Sequence, residues 1–347
     1  MTSMNRPNPA AMATSAPARA NSMMRAVVQR SYGTTDVLQV EQIGTPEFGA
    51  DEVLVRVRAA GLDRGTWHFM TGRPYLMRII GFGFSRPKNL VAGLDVAGTV
   101  AAVGTAVTTF SVGDDVYGIG RGSFAEYTAA RADKLARKPA NLTFDQAAAV
   151  PVSALTALQA LSDVGRVESG QRVLIIGASG GVGSYAVQIA KAFGAEVTGV
   201  CSTSKLDLVR ALGAVHVVDY TKEDFAGGTR RYDLILDIAG NSRLSRLRRA
   251  LTPAGTLVIV GGESKGSLTG GIGRQLRALL LSRFVGQRLT MCASKERGSD
   301  LADRITDLIE TGRLTPSIER TFPLDQVPQA MRHLEAGDVR GKVVITL

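Results

Sequence analysis

Hydrophobic and polar positions follow two different patterns along this chain of 347 residues. From residue 25 to about 128, short apolar runs alternate with glycines and turns, which is typical of a β-rich unit. The strands predicted there span residues 26–29, 53–59, 98–103, 115–118 and 125–128. Farther on, apolar runs alternate with segments of helical spacing, which predicts a doubly wound parallel sheet. Its six predicted strands span residues 173–176, 197–200, 215–218, 234–238, 256–260 and 288–292.

The junction after the first of these six runs has a composition suited to anion binding. The run leads directly into Gly177, and a helical pattern follows over residues 184–193. A pyrophosphate must approach the backbone closely, and glycine allows a tight turn with no side chain in the way. The N–H groups at the helix start then face the anion. Although the spacing departs from the common G-x-G-x-x-G form, the order strand, turn, helix, strand predicts a dinucleotide site. The residues predicted to form it are Ser179, Gly180, Gly181, Val182 and Gly183.

The same periodicities assign the remaining segments. Helices are predicted over residues 143–162, 205–212, 242–251, 274–281, 300–311 and 326–336, and a last strand over 342–347. The leucine-rich helix at 274–281 is expected to lie in the core. Residues 62–91 are predicted to form a long, aromatic-rich loop, and loops of that size in compact domains are usually functional.

Composition narrows the class of protein. The chain is 45% hydrophobic and 21% charged, as in an ordinary globular protein. No apolar run approaches a membrane span, so no membrane partner is expected. Its two cysteines, Cys201 and Cys292, have no C-x-x-C spacing, which favours a reducing cytoplasm. The formal charge of +10 leaves nucleic-acid binding open, but no basic run is interleaved with aromatics. Surface charge, or attraction of an anionic cofactor, is the favoured reading.

Residues 1–22 form an Ala-, Pro- and Ser-rich start without acidic residues. They show no apolar periodicity, so a disordered tail is predicted. A secretory signal would need an apolar region that is missing, while a transit peptide stays an alternative.

Several motifs resemble the medium-chain dehydrogenase/reductase superfamily, in particular its zinc-independent quinone oxidoreductase branch. These are GLDVAGTVAAVG from Gly93, VGDDVYG, the long run from GSFAEYTAARADKL to AVPVSALTALQAL, the glycine turn and the closing GKVVITL. The resemblance implies an α/β fold with a GroES-like β-rich catalytic domain at residues 23–151 and 297–347. A Rossmann NADP-binding domain would span residues 152–296. It also implies an active site in the cleft between the domains, and a homodimer is expected.

The resemblance also bears on metal binding. Where zinc enzymes of the superfamily have a cysteine ligand this chain has Asp63, and their Gly-His-Glu motif reads Gly93-Leu94-Asp95. The four-cysteine structural lobe is missing as well. An aspartate without imidazole or thiolate partners cannot form a three-ligand zinc site, so no bound metal is predicted.

The adenosine end of the site indicates NADPH rather than NADH. NAD-specific folds usually place an acid after the second strand, to bind the ribose 2′-hydroxyl. Here that strand is followed by Ser202, Thr203 and Lys205, which could hold a 2′-phosphate. By the resemblance, Tyr220 packs near the same phosphate. The alternative is that residues 202–205 only cap the next helix.

Turns at the ends of later strands lie at the sheet edge where ligands bind. By the resemblance, their backbones contact the nicotinamide half of the cofactor. The residues concerned are Ala239, Gly240, Gly261, Gly262, Phe284 and Val285.

The predicted activity is hydride transfer from NADPH to quinones or to activated alkenes and carbonyls, without a metal. Asp63, His68 and Tyr75 are the candidate catalytic residues. Asp63 would contact substrate or ribose, and His68 or Tyr75 would donate a proton, with water as an equal alternative. Two other hypotheses stay open: an NADPH-binding redox sensor or RNA-binding protein with little catalysis, and a zinc-type alcohol dehydrogenase.

Overall fold

The computed structural model describes residues 22–76, 78–261 and 271–347. The tail predicted at residues 1–22 lies outside this range except for Ser22, and Gly262 also lies outside it. Strands in the described part are β1 (Met23–Gln29), β2 (Leu38–Gly44), β3 (Glu52–Leu62), β4 (Asp95–Val103), β5 (Asp115–Ile119), β6 (Tyr127–Arg131), β7 (Leu135–Arg137), β8 (Arg172–Ile176), β9 (Glu196–Cys201), β10 (His216–Asp219), β11 (Tyr232–Asp237), β12 (Leu251–Ile259), β13 (Arg288–Met291), β14 (Ile318–Pro323) and β15 (Lys342–Thr346).

The α-helices connect and flank these strands. They are α1 (Arg64–Thr71), α2 (Phe144–Ala148), α3 (Pro151–Gln159), α4 (Gly181–Ala192), α5 (Leu206–Ala211), α6 (Leu244–Ala250), α7 (Ile272–Ser282), α8 (Thr306–Glu310) and α9 (Val327–Glu335). Single 3-10 turns occur at Thr35–Val37, Ala132–Lys134, Thr203–Lys205 and Leu324–Gln326. π-helical turns occur at Arg78–Phe82, Ala160–Val164 and Asp300–Ile305. None of the described helices has both the length and the apolar character needed to cross a membrane.

The second half of the chain forms the predicted parallel sheet. Its order is β10-β9-β8-β11-β12-β13, and all neighbours in it are parallel. The chain winds outward from β8 through β9 to β10, then crosses to β11 and continues the other way. Strand order therefore reverses between β8 and β11, and ligands of open α/β sheets bind at such a switch point. The predicted doubly wound sheet is confirmed.

A second sheet joins both ends of the chain. Its order is β14-β15-β3-β4-β5-β7, with β6 paired to β3, and the β1–β2 hairpin lies beside it. Strand β15 pairs antiparallel with β3, so the last residues complete a sheet begun near the start of the chain. This is the GroES-like arrangement that the resemblance implied.

One apolar core connects the two sheets through α3. Its fully or almost fully buried members include Tyr117 on β5, Leu158 on α3, Ile175 on β8 and Val197 on β9. Helix α3 begins at Pro151, where proline fits because the first helical N–H groups have no intrahelical partner. The cleft between the sheets therefore has a packed floor.

Two sequence predictions about element type were wrong. Residues 62–91 are not one loop, because α1 and the π-helical turn Arg78–Phe82 lie within them. Helix α7 is not a core helix: Ala278 is its buried residue, whereas Leu276 and Leu280 are exposed. Three leucines in succession cover most of a helical turn, so they cannot all face the same sheet.

Candidate active site

A cleft of about 750 Å³ lies where the carboxyl ends of β8 and β9 face the GroES-like sheet. Its wall on one side comes from the end of β3 and from α1, and on the other from the glycine turn and the ends of the parallel strands. Helix α3 and the segment between α9 and β15 complete it. One cavity thus contacts both halves of the molecule.

The glycine turn is built for close approach to the backbone. Gly177 has a φ of +89°, which favours glycine, and a Cβ at Gly183 would lie 2.0 Å from the Gly177 carbonyl oxygen. At Gly180, the N-cap of α4, the nearest atom to an added Cβ is 3.6 Å away. Ser179, Gly180, Gly181 and Val182 line the cleft. Gly183 lies behind them and lets α4 pack against the turn.

The basic end of the cleft is formed after β9 and β10. Ser202, Lys205 and Tyr220 line it. The ammonium of Lys205 donates to the carbonyl oxygens of Gly337 and Val339, each at 3.1 Å, and so joins this end to the segment after α9. A 2′-phosphate at this position would meet a cation already held in place.

Thr203 takes another role. Its hydroxyl bonds Asp219 and Thr221 instead of lining the cleft. Hydrogen bonds from Thr203 and Thr221 are the main cause of the lowered pKa of Asp219. This carboxylate at the end of β10 is therefore held by hydroxyls from the turns that follow β9 and β10.

Arg246 and Phe225 also line this end, and the sequence did not indicate them. The Arg246 guanidinium lies 4.2 Å from the Phe225 ring centroid, and its Nε pairs with Asp224 at 2.8 Å. Arg246 follows the end of β11 by nine residues, so no motif of the glycine turn could have placed it here.

Of the residues predicted to contact the nicotinamide half, the structure places some on the cleft wall and others away from it. Ala239 and Gly261 line the cleft. Gly240, with a φ of +73°, lies at the turn beside them but not on its wall. Phe284 is 83% exposed after α7, and Val285 packs against a core cluster behind β12, so neither lines the cleft.

Of the three candidate catalytic residues, two line the cleft. Asp63 is buried and caps α1, its Oδ1 accepting from the Thr66 amide at 2.8 Å. Its other oxygen, Oδ2, is also buried and accepts no hydrogen bond from the described residues. A buried carboxylate oxygen without a donor is costly, and because Asp63 lines the cleft, a bound hydroxyl or amide would satisfy it.

His68 lines the same wall, one helical turn from Asp63. Its Nδ1 lies 2.8 Å from the Arg73 carbonyl oxygen, so Nδ1 carries the proton in the neutral ring. Tyr75 lies off the cleft wall, with its ring 4.6 Å from the Arg78 guanidinium.

A buried polar cluster forms part of the floor. The Lys342 ammonium lies 3.0 Å from Asp95 Oδ2 and donates to Ser153 Oγ at 3.1 Å. The other Asp95 oxygen accepts from the Val152 amide at the start of α3. Burial raises the pKa of Asp95 to about 7, against the opposing effect of Lys342. Lysine is rarely buried, so its residue type did not indicate this position for Lys342.

Within residues 22–76, 78–261 and 271–347, no group of three or more His, Cys, Asp or Glu side chains lies close enough to hold a metal ion. At Asp63 the structure offers a carboxylate and the adjacent His68, and Leu94 stands where the superfamily's zinc enzymes have histidine.

A parallel sheet of this strand order, with a glycine turn opening on an interdomain cleft, defines a two-domain dinucleotide-binding protein. Family comparisons agree. The alcohol dehydrogenase GroES-like domain matches residues 49–140, and the zinc-binding dehydrogenase family matches residues 212–345. The chain belongs to the medium-chain dehydrogenase/reductase superfamily, and is quinone oxidoreductase-like within it.

Individual relatives extend along almost the whole chain. The chain is 33% identical to tomato (Solanum lycopersicum) 2-methylene-furan-3-one reductase over 97% of its length and 82% of the relative's. It is also 33% identical to the chloroplastic NADPH-dependent alkenal/one oxidoreductase of Arabidopsis thaliana, over 93% and 79%. The solved quinone oxidoreductase from Coxiella burnetii superposes with a TM-score of 0.82 at 28% identity, over 94% and 100%. The predicted family, fold and oxidoreductase class are confirmed.

Proposed function

We propose that the protein reduces quinones or enones with NADPH, without zinc. The observation that carries this proposal is the single cleft that joins an anion-binding glycine turn, a basic 2′-phosphate end and the buried Asp63 carboxylate. Names of relatives support it, since they include a furanone reductase, an NADPH-dependent alkenal/one oxidoreductase and a quinone oxidoreductase.

The residues present fit NADPH. Gly180 leaves open space where a Cβ would otherwise meet the pyrophosphate, and the N–H groups at the start of α4 point to the same place. Ser202 and Lys205 supply a hydroxyl and an ammonium for the 2′-phosphate, and residues 202–206, directly after β9, include no acid that would repel it. Ala239 and Gly261 line the cleft nearer the switch point and would bound the nicotinamide half.

When bound, NADPH supplies a hydride from its nicotinamide C4 to the electrophilic carbon of an enone or to a quinone. The protein residues position the acceptor, and the packed floor of the cleft keeps water away from it. Asp63 Oδ2 would accept a hydrogen bond from a hydroxyl of ribose or substrate. In its imidazolium form His68 would donate the Nε2 proton to the reduced oxygen, while Nδ1–H donates to the Arg73 carbonyl oxygen and fixes the ring for that role. Water remains the alternative donor.

Zinc independence is part of the proposal. Aspartate at position 63 and leucine at position 94 do not supply the thiolate and imidazole of a catalytic zinc site. Without a Lewis acid to polarise an isolated carbonyl, acceptors that spread negative charge by conjugation are favoured. Simple alcohols are expected to be poor substrates.

The deciding experiment follows NADPH oxidation with a panel of quinones, enones and saturated aldehydes, before and after dialysis against a chelator. We expect turnover of quinones or enones that the chelator leaves unchanged. Consumption of NADPH by none of these acceptors would favour the sensor or RNA-binding hypothesis. Ethanol oxidation restored by zinc would favour the alcohol dehydrogenase hypothesis.

A homodimer is the proposed assembly. Strand β13 is an edge of the parallel sheet, and α7 beside it exposes Leu276 and Leu280, with Phe284 just beyond. Exposed apolar residues next to an open sheet edge suit an isologous contact. Light scattering should give twice the monomer mass, and Leu280→Glu should give the monomer. A monomeric native protein would refute this assembly.

Two broader predictions remain proposals. Domain limits of 23–151 with 297–347, and 152–296, are supported by the pairing of β15 with β3. A cytoplasmic location is supported by the buried free thiols of Cys201 and Cys292. Limited proteolysis would test the limits by cutting near residues 151 and 297. Imaging of the tagged full chain would test the location.

A further inference from the structure

Large apolar side chains are exposed on the segment that follows α1, the helix whose His68 lines the cleft. Ile79 is 71% exposed and Phe84 is 80% exposed, while Leu76 and Leu90 are also exposed. These four side chains belong to residues 76–90, of which the structure describes 76 and 78–90. Several large apolar side chains exposed along one short segment indicate an interaction site.

The backbone of this stretch is held by specific contacts. The Phe82 ring is buried and lies 4.1 Å from the Phe69 ring of α1. The Arg78 guanidinium lies over the ring of Tyr32 at 4.1 Å and donates to the carbonyl oxygens of Thr71 and Gly72. These contacts hold the neighbouring backbone, so that the Ile79 and Phe84 side chains stay exposed to solvent and do not pack onto the core.

All charged residues along the same stretch are basic. Between residues 64 and 94 there is no aspartate or glutamate. Arg73, Arg86 and Lys88 are exposed there. We use the name basic apolar surface for these three cations together with Leu76, Ile79, Phe84 and Leu90.

We propose that the basic apolar surface docks the protein on an anionic lipid bilayer. Apolar side chains inserted at the headgroup boundary, surrounded by cations that attract anionic lipids, form the usual peripheral membrane contact. This interaction differs from the expectation of no membrane partner, which rested on the absence of a spanning segment.

Other occupants fit less well. A second copy of this chain on the same surface would bring the cations Arg73, Arg86 and Lys88 against the same set of cations, with no acid between positions 64 and 94 to pair with them. A nucleic acid would be attracted by the cations but would leave Ile79 and Phe84 without an apolar partner.

The location of the basic apolar surface indicates what docking would do for the enzyme. This step rests on the proposed function. Helix α1 lines the cleft through His68, whose Nδ1 contacts the Arg73 carbonyl oxygen at the start of the basic apolar surface. Quinones and enones with long hydrocarbon chains partition into bilayers. Docking here would present the cleft to acceptors dissolved in lipid.

The test is flotation of the full chain with vesicles of phosphatidylcholine alone or mixed with phosphatidylglycerol, at low and high salt. We expect binding to the mixed vesicles only, weakened by salt. The double substitution Ile79→Gln with Phe84→Gln should lower the partition coefficient at least tenfold. Arg86→Gln should lower it roughly fivefold.

A matched control is Val112→Gln with Val215→Gln, which removes two other exposed apolar side chains. This variant should float like the native chain. NADPH oxidation with a water-soluble quinone should be the same in all variants, so that loss of docking is separable from loss of the proposed activity. Equal flotation of the Ile79/Phe84 variant and the native chain would overturn the proposal. So would salt-sensitive binding of RNA by the same residues without binding to vesicles.

Discussion

The ammonium of Lys342 and the carboxylate of Asp95 lie 3.0 Å apart with almost no exposure to water, although 247 residues separate them in the chain. The contact joins β15 to β4 and, through Val152 and Ser153, to the start of α3. Lys342 and Ser153 also line the cleft. The pair therefore connects the completion of the GroES-like sheet with the floor of the candidate active site.

Removing Lys342 alone should be strongly destabilising. Lys342→Met leaves a buried carboxylate without its partner, which costs roughly 3–5 kcal/mol of unfolding free energy above pH 8. Urea unfolding measures this loss. The control is Lys134→Met, which breaks a partly exposed pair with Glu296 and should cost less than about 1 kcal/mol. Similar losses in both variants would show that the buried pair has no special weight.

Asp95 should make stability depend on pH. Its folded pKa of about 7 exceeds the ordinary value of 3.8, chiefly because of burial, with Lys342 opposing and Asp63 adding to the rise. Folding therefore favours the protonated acid, and this contribution is complete below about pH 4 and is lost as pH rises through 7. The Asp95→Asn variant lacks it.

The measurement is the difference in unfolding free energy between native and Asp95→Asn protein from pH 4 to pH 8. That difference should fall by up to about 1.4 kcal/mol per pH unit up to pH 7, then level off. Other groups facing Asp95, namely Lys342, Asp63 and Tyr185, are common to both proteins. A flat difference across this range would contradict the raised pKa.

The sequence could predict those features that local patterns determine. The glycine turn is an example, because Gly177 and Gly183 are close together both in the sequence and in the structure. Strand β14 was missed, since its residues alternate only weakly and its partner β15 lies beyond α9. The burial of Lys342 could not be predicted either, because a lysine is expected to lie on the surface, in contact with solvent. The position of Thr203 differed for a similar reason: its hydroxyl bonds Asp219, on a neighbouring strand.

Lys205 should determine preference for NADPH. Its ammonium is oriented in the cleft by the Gly337 and Val339 carbonyl oxygens, and a charged hydrogen bond to phosphate contributes about 1.5–3 kcal/mol. Lys205→Ala should raise the Kd for NADPH roughly 10- to 100-fold and that for NADH less than about threefold. Fluorescence titration measures both. Lys222→Ala, a nearby exposed cation off the cleft wall, is the control. Equal effects on the two cofactors would remove the assignment.

Cys201 should report occupancy of the cleft. It lines the cavity, and burial raises its thiol pKa to about 11, as it does for Cys292, which lies elsewhere. At pH 8 both thiols should alkylate roughly a hundredfold more slowly than an ordinary cysteine. NADPH should slow labelling of Cys201 further and leave Cys292 unchanged, as peptide mass spectrometry would show. Equal protection of both thiols would indicate general tightening instead of binding beside Cys201.

The two carboxylate oxygens of Asp63 allow a structural role of this residue to be distinguished from a chemical one. Oδ1 caps α1 through the Thr66 amide, while Oδ2 is buried without a partner among the described residues, and Asp63 lines the cleft. Asp63→Asn keeps a capping oxygen, so its stability should stay within about 0.5 kcal/mol of native, whereas Asp63→Ala should lose about 1 kcal/mol. If Oδ2 accepts a hydrogen bond that strengthens during reduction, both variants should lower kcat by roughly 10²-fold with little change in KM. Equal kcat in Asp63→Asn and native enzyme would restrict the residue to capping α1 and leave proton supply to His68 or water.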